Sequence, residues 1–92
     1  MKNYTVQIEV KGKTKKKTIL TFFYKGVEFG KRTSVKTPEN FEAYTLIEKP
    51  NQEPSILSVG KLSTCEKSTK EMNNYYLREG LKDKAYTVLI KN

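Results

Sequence analysis

The chain has 92 residues and a formal net charge of +8, with 18 Lys and Arg against 10 Asp and Glu, and it has one cysteine and no histidine. No stretch approaches the roughly 18 apolar residues of a membrane-spanning helix, and the alternating N-terminus lacks the apolar segment of a signal peptide. A lone Cys65 excludes an intramolecular disulfide. We therefore expect a single domain over residues 1–92, acting in the cytoplasm of a bacterium or in the cytosol of a host cell.

Catalytic and metal-binding signatures are missing from the sequence. Without histidine, the commonest general base and metal ligand at neutral pH is absent, and one cysteine does not make a usual structural zinc site. Asp83 is the only aspartate and the five glycines are scattered, so EF-hand and phosphate-loop patterns are lacking. We interpret Cys65 as a buried thiol on a helix. The expectation is a non-enzymatic protein with no cofactor and no metal.

The first third of the chain predicts a three-stranded meander. Apolar and polar residues alternate from Tyr4 to Val10. Residues 18–24 are β-branched and aromatic, and a third strand at 27–32 follows a two-residue turn at Lys25 and Gly26. Matching the apolar faces predicts these cross-strand pairs: Tyr4 with Tyr24, Val6 with Phe22, Ile8 with Leu20, Val10 with Thr18, Tyr24 with Val27, Phe22 with Phe29, and Leu20 with Lys31.

This register predicts two faces and one charged loop. The first hairpin loop is residues 12–16, flanked by Lys11 and Lys17. The core face is predicted to carry Tyr4, Val6, Ile8, Val10, Leu20, Phe22, Tyr24, Val27 and Phe29. The other face is predicted to carry Thr5, Gln7, Glu9, Ile19, Thr21, Phe23, Glu28, Gly30 and Arg32. Ile19 and Phe23 then require a cover, which another element, a second subunit or a ligand would provide.

The remainder of the chain predicts one helix among shorter elements. Pro38 favours a short helix or turn at 38–43 with Thr37 as its cap, and strands are predicted at 43–48 and 55–62 around a proline-containing loop. Residues 63–80 form the strongest helix, which ends at Gly80. Capping-box spacing joins Ser63 to Glu66 and Ser68 to Glu71. The apolar stripe of this helix consists of Cys65, Thr69, Met72 and Tyr76, with Tyr75 beside it.

A last strand is predicted around Tyr86, Val88 and Ile90. The segment "EAYTLIEK" at 42–49 is echoed by "KAYTVLIK" at 84–91, which indicates similar strand environments. Together the elements predict an α+β fold: a small antiparallel β-sheet, made of the N-terminal meander plus two to three further strands, packed by one main helix near residues 64–80. A strongly curved or barrel-like sheet is the alternative.

Positive charge is concentrated in the first two fifths of the chain. Residues 1–38 hold ten Lys and Arg against Glu9 and Glu28, whereas residues 39–92 balance eight bases with eight acids. Such asymmetry favours an anionic partner. Solubility alone is the competing interpretation, because small domains commonly carry net charges of about 2 to 8.

Candidate partner-binding residues follow from the meander. Lysines at a loop tip suit phosphate contacts, and exposed aromatic residues beside basic ones can stack unpaired bases. Three points count against this interpretation. Glu9 and Glu28 would repel phosphate, and lysines also protect edge strands against aggregation. Burial is the favoured role for Phe23. The candidates for contact with nucleic acid or another acidic surface are Lys11, Lys13, Lys15, Lys16, Lys17, Phe23, Lys25, Lys31, Arg32 and Lys36.

The stretch "FFYKGVEFGKRTSVKTPENFEAY" at 22–44 loosely resembles the three-stranded arm-binding modules of some phage integrases. The resemblance covers under a third of the chain and contains no specific motif, so no family is assigned from it.

Three functions remain open. The first is a non-enzymatic protein of phage or mobile-element type that binds nucleic acid or a nucleic-acid–protein complex. The second is a small inhibitor of a host nucleic-acid-processing or defence complex, similar in manner to anti-CRISPR proteins. The third is a structural or assembly protein that associates through strand edges. No membrane is expected among the partners, and a homodimer is kept open.

Overall fold

A computed structural model describes residues 3–90 and shows the predicted α+β architecture. Its elements in chain order are β1 (Tyr4–Lys11), β2 (Lys17–Tyr24), β3 (Val27–Ser34), a 3-10 turn (Pro38–Asn40), β4 (Ala43–Glu48), β5 (Ser55–Gly60), α1 (Leu62–Arg78) and β6 (Lys84–Leu89). Every predicted strand and the main helix are confirmed. The strands form two antiparallel three-stranded sheets, in the orders β1-β2-β3 and β5-β4-β6.

Contacts between residues divide the chain into two compact units, Met1–Phe41 and Glu42–Asn92, which are described separately. The first unit holds the meander with ten Lys and Arg against three Glu, and the second holds α1 and its sheet with eight against seven. The charge asymmetry of the sequence therefore coincides with the division into units. A single domain over 1–92 stays a prediction.

The β1–β2 hairpin has the predicted register throughout, from Tyr4 opposite Tyr24 to Val10 opposite Thr18. Lys11 and Lys17 form the last pair, so the loop is residues 12–16 as expected. The strict alternation of apolar and polar residues on β1 explains this success, because a slip by one residue would reverse every side chain.

The β2–β3 hairpin departs from prediction after its turn. Tyr24 pairs with Val27 as expected, but a bulge at Phe29 places Gly30 opposite Phe22 and Arg32 opposite Leu20. The predicted pairs of Phe22 with Phe29 and of Leu20 with Lys31 are therefore wrong. Phe29 still contacts the core aromatic rings, at centroid distances of 6.3 Å from Phe22 and 5.9 Å from Tyr4.

The core of the first unit is smaller than its predicted apolar face. Leu20 and Phe22 are fully buried, and Tyr4, Val6 and Ile8 are half-buried. By contrast, Val10 is 50% exposed and Val27 is 67% exposed, because each lies beside a turn at an end of the meander. Burial is thus concentrated on the central strand, which has a neighbouring strand on each side.

In the second unit, α1 packs on one face of the β5-β4-β6 sheet through the predicted stripe. Cys65 is fully buried, Tyr76 is buried, and Met72 packs against a cluster that contains Tyr76 and Ala85. The helix ends in a Schellman arrangement around Gly80, in which the Leu81 N–H donates to the Tyr76 carbonyl at 2.8 Å. The predicted C-cap is confirmed.

The N-terminus of α1 is capped differently from prediction. The helix begins at Leu62 after Lys61, and no side chain of the N-cap residue bonds it, so neither predicted capping box forms the cap. Instead, the Leu62 N–H donates to the Glu42 carboxylate at 2.9 Å. Glu42 precedes β4, and its N–H and carbonyl also bond Gly60 and Ile90. One residue therefore joins the ends of β5 and β6 to the start of the helix.

The sequence echo corresponds to neighbouring strands. β4 and β6 pair antiparallel so that Thr45 lies opposite Thr87. The hydroxyls of both threonines donate to the Cys65 carbonyl, at 3.0 and 3.4 Å. Thr45 and Thr87 therefore share one environment under α1, but the strands differ elsewhere, because Ile47 is buried on the central strand whereas its equivalent Leu89 on the edge strand is exposed.

Candidate nucleic-acid interface at the basic end of the meander

The β1–β2 loop gathers most of the candidate residues. Lys11 and Lys17 face each other in the last pair of the ladder, and Lys13, Lys15 and Lys16 lie in the five-residue loop that joins them. All five lysines are exposed. Like charges placed directly opposite in a sheet are unfavourable, so an anion bound among them would relieve repulsion that the folded hairpin contains.

Within the meander, acidic residues do little to neutralise this loop. No acidic residue occurs from Val10 to Val27 in the sequence. Glu9, which lies two residues before Lys11 on β1, contacts it, with 3.7 Å between the Lys11 Nζ and the Glu9 carboxylate. Both side chains are well exposed, so the pair contributes about 0–1 kcal/mol and leaves the loop strongly positive.

Gly12 sets the shape of the loop. Its φ angle is +112°, which side-chain-bearing residues rarely adopt, and a Cβ atom at this position would collide with the backbone carbonyl of Lys15. The chain can therefore turn back on itself here only with glycine. Lys13, Lys15 and Lys16 are held in a loop whose conformation depends on that residue.

Lys36 lies at the same end of the meander. The Thr18 hydroxyl donates to the Lys36 carbonyl at 2.6 Å, and the Lys36 N–H donates to the Ser34 hydroxyl at 3.1 Å. Because Thr18 is paired with both Val10 and Ser34, these bonds place the Lys36 backbone next to the start of β2. We use the name basic tip for six exposed lysines: Lys11, Lys13, Lys15, Lys16, Lys17 and Lys36.

Lys25 lies at the opposite end of the meander, in the β2–β3 turn. Lys25 and Gly26 both have positive φ angles, +51° and +81°, as the predicted two-residue turn requires. The Lys25 ammonium lies 5.3 Å from the centre of the Tyr24 ring, which in turn stacks on Tyr4. Lys25 is therefore not part of the basic tip.

Lys31 and Arg32 occupy the middle of β3. The bulge reverses the predicted sides: Lys31 now pairs with Thr21 on the face that carries Phe23, whereas Arg32 pairs with Leu20 on the core face. The sequence interpretation placed Arg32 beside Phe23, and that placement is wrong. Gly30, an isolated glycine inside this strand, was a sequence signal for a bulge nearby, but it did not identify Phe29 as the inserted residue.

Phe23 is half-buried and remote from the basic tip. It pairs with Thr5 on one side and Glu28 on the other, near the Lys25 turn. It lies six residue steps along β2 from Lys17, which corresponds to about 20 Å. The acidic Glu28 directly beside it disfavours a phosphate contact. The ten predicted residues thus separate into a cluster of six lysines and four positions elsewhere on the meander.

Two residues that shape the tip were not singled out from sequence. Gly12 had a visible signal, since glycine within a lysine-rich loop indicates a position with positive φ. The Thr18 contact with Lys36 had none, because it joins residues 18 positions apart.

Within residues 3–90, no three His, Cys, Asp or Glu side chains lie close enough to hold a metal ion. No helix in that range is long and apolar enough to cross a membrane.

Comparisons with protein-family models, with curated protein sequences and with solved structures find no match to the chain.

Proposed function

We propose that the chain is a non-enzymatic binding protein whose basic tip contacts the phosphate backbone of nucleic acid, either free or held in a nucleic-acid–protein complex. The observation that supports this is the grouping of six exposed lysines at one end of the meander, with Lys11 and Lys17 directly opposed. Lysine ammonium groups are point charges that suit phosphates without distinguishing bases.

Binding at this tip is independent of base sequence. The one half-buried aromatic candidate, Phe23, lies about 20 Å along β2 from Lys17. Within the meander, a strand of nucleic acid bound by the loop lysines therefore has no aromatic side chain beside it on which to stack a base. Each duplex phosphate neutralised by a lysine contributes about −0.9 to the slope of log K against log salt, so engagement of most of the tip predicts a slope near −5.

The direct test is fluorescence anisotropy with a labelled duplex and a labelled single strand at several salt concentrations. Changing Lys13, Lys15 and Lys16 together to Glu is expected to lower affinity at least a hundredfold. The matched control changes the exposed lysines Lys67, Lys70 and Lys82 to Glu. Each exchange lowers the net charge by two, so both triple variants fall from +8 to +2. Equal losses in the two variants would mean that only net charge matters.

A pull-down from bacterial lysate, with and without nuclease, distinguishes the two forms of partner. Recovery that nuclease abolishes indicates nucleic acid itself. Recovery of a defined protein complex that resists nuclease but requires the three loop lysines indicates a nucleic-acid–protein assembly, which is also the result expected of a small inhibitor.

A further inference from the structure

The four edge strands of the two sheets differ in how they resist pairing with another strand. Bulges interrupt β3 at Phe29 and β5 at Leu57, and a bulged edge is a poor template for a further strand. On β6, the Asn73 side chain bonds both backbone groups of Ala85: it donates to the carbonyl at 2.9 Å and accepts from the N–H at 2.8 Å. These three edges are therefore obstructed.

β1 differs from these three edges in its regularity. It pairs with β2 over eight consecutive residues without a bulge, and it contains no glycine or proline. No second strand pairs with β1 among residues 3–90, and none of its residues is fully buried. A long, regular edge of this kind is a template for adding a strand.

The outer edge of β1 presents its even-numbered residues. The Lys25 N–H donates to the Asn3 carbonyl, so odd-numbered residues direct their backbone groups toward β2. Because these directions alternate along an antiparallel strand, the N–H and C=O groups of Val6, Ile8 and Val10 point away from the sheet. The apolar side chains of the same three residues are half-buried or exposed.

We propose that this edge pairs with β1 of a second copy of the chain in an antiparallel, two-fold arrangement centred on Gln7. In this register, Val6 faces the second copy's Ile8 and Tyr4 faces the second copy's Val10, so apolar residues meet on one face. On the other face, Glu9 faces the second copy's Thr5, and Lys11 faces the second copy's Asn3. No like charges are opposed, and each copy contributes the same surface.

The arrangement also separates the two basic tips. Lys11 of one copy and Lys11 of the other are eight residues apart along the joined strands, or about 27 Å. This exceeds the Debye length of about 8 Å at physiological ionic strength, so repulsion between the tips is screened. A parallel pairing would bring the tips side by side. The proposal does not depend on what the basic tip binds.

The test measures the mass by sedimentation over about a hundredfold range of protein concentration, where a rise from monomer to dimer is expected. Gln7→Lys places two lysines opposite each other at the two-fold axis and is expected to raise the dimer Kd about two- to fivefold. Thr5→Lys adds the same single charge but faces Glu9 of the second copy, so it is expected to lower the Kd about three- to tenfold.

Amide exchange provides a second measurement on the unmodified chain. The amides of Val6, Ile8 and Val10 are expected to gain protection as concentration rises, whereas that of Thr87 on β6 is expected to remain unchanged. A monomer at every concentration would overturn the proposal, and so would equal shifts in Kd for the two lysine variants or an exchange of their signs. Concentration-independent exchange at Val6 and Ile8 would count against it in the same way.

Discussion

Gly12 and Lys15 approach so closely that a Cβ atom on Gly12 would occupy the space of the Lys15 carbonyl. We expect Gly12→Ala to destabilise the first unit by at least about 2 kcal/mol, because the clash adds to the strain of the positive φ angle. The loss of loop shape is also expected to weaken nucleic-acid binding while leaving the charge unchanged. Urea unfolding and anisotropy measure the two effects.

Gly80 supplies the control for that prediction. Its φ angle is +67°, and a Cβ atom there would meet no atom within 4 Å. Gly80→Ala is therefore expected to cost only the roughly 1 kcal/mol of a left-handed conformation and to leave binding unaffected. If the two alanine variants lose equal stability, the contact with Lys15 does not constrain the loop.

Lys25→Asn is expected to stabilise the β2–β3 hairpin. Lys25 has a φ angle of +51°, a conformation that asparagine adopts at lower cost in two-residue turns. We expect a gain of about 0.5–1 kcal/mol in the free energy of unfolding, reduced by loss of the contact between Lys25 and the Tyr24 ring. The urea midpoint measures it, with Lys31→Asn as a control on β3. Because Lys25 lies away from the basic tip, nucleic-acid affinity is expected to fall little.

Glu42→Ala is expected to destabilise the second unit by about 1 kcal/mol. Its carboxylate accepts the Leu62 N–H at the start of α1, where a negative charge also complements the helix dipole. Glu42→Gln keeps an acceptor but removes the charge, so an intermediate loss is expected. Glu66→Ala is the control, because the sequence suggested Glu66 for a capping box that the structure lacks. A larger loss at Glu66 than at Glu42 would contradict the assignment.

These residues illustrate what the sequence could predict. The alternation on β1 specified its register with β2 at all eight pairs, and the apolar stripe on α1 identified Cys65 and Tyr76 as buried. Both are periodic patterns produced by a single buried face. The echo of Ala-Tyr-Thr in β4 and β6 indicated similar environments, and this holds for Thr45 and Thr87, which both contact the Cys65 carbonyl, but not for the tyrosines, since Tyr44 is buried and Tyr86 is half-buried.

The features that were missed are not periodic. The bulge at Phe29 inserts one residue into an otherwise regular strand, and this moved Arg32 to the face opposite its predicted one. The cap at Leu62 is supplied by Glu42, 20 residues earlier, because the chain returns to the same end of the sheet. Local spacing cannot reveal a partner that tertiary structure brings into place. The strand register located the five lysines of the β1–β2 loop correctly. Lys36 lies beside them because of its contact with Thr18, which local spacing does not show.

The last prediction concerns alkaline pH. Tyr44 on β4 is only 1% exposed, and burial raises the pKa of its hydroxyl to about 12 from an ordinary value of 10.0. The folded state therefore holds this proton more tightly than the unfolded state does. The contribution of Tyr44 to stability is fully present below about pH 10 and is lost as the pH rises toward about 12, by up to about 2 kcal/mol.

Urea unfolding at about pH 9 and about pH 11.5 measures this loss, and Tyr44→Phe is expected to reduce it. Burial also raises the pKa of Tyr76 and Tyr86, so the Phe variant is expected to retain a weaker dependence on pH. Tyr75→Phe, which changes an exposed ring of α1, is the control for general effects of alkaline pH such as the deprotonation of lysines. Only a group whose pKa differs between the folded and unfolded states can make stability depend on pH. If the stability of Tyr44→Phe falls with pH as steeply as that of Tyr75→Phe and of the unmodified chain, the Tyr44 hydroxyl does not govern the alkaline transition.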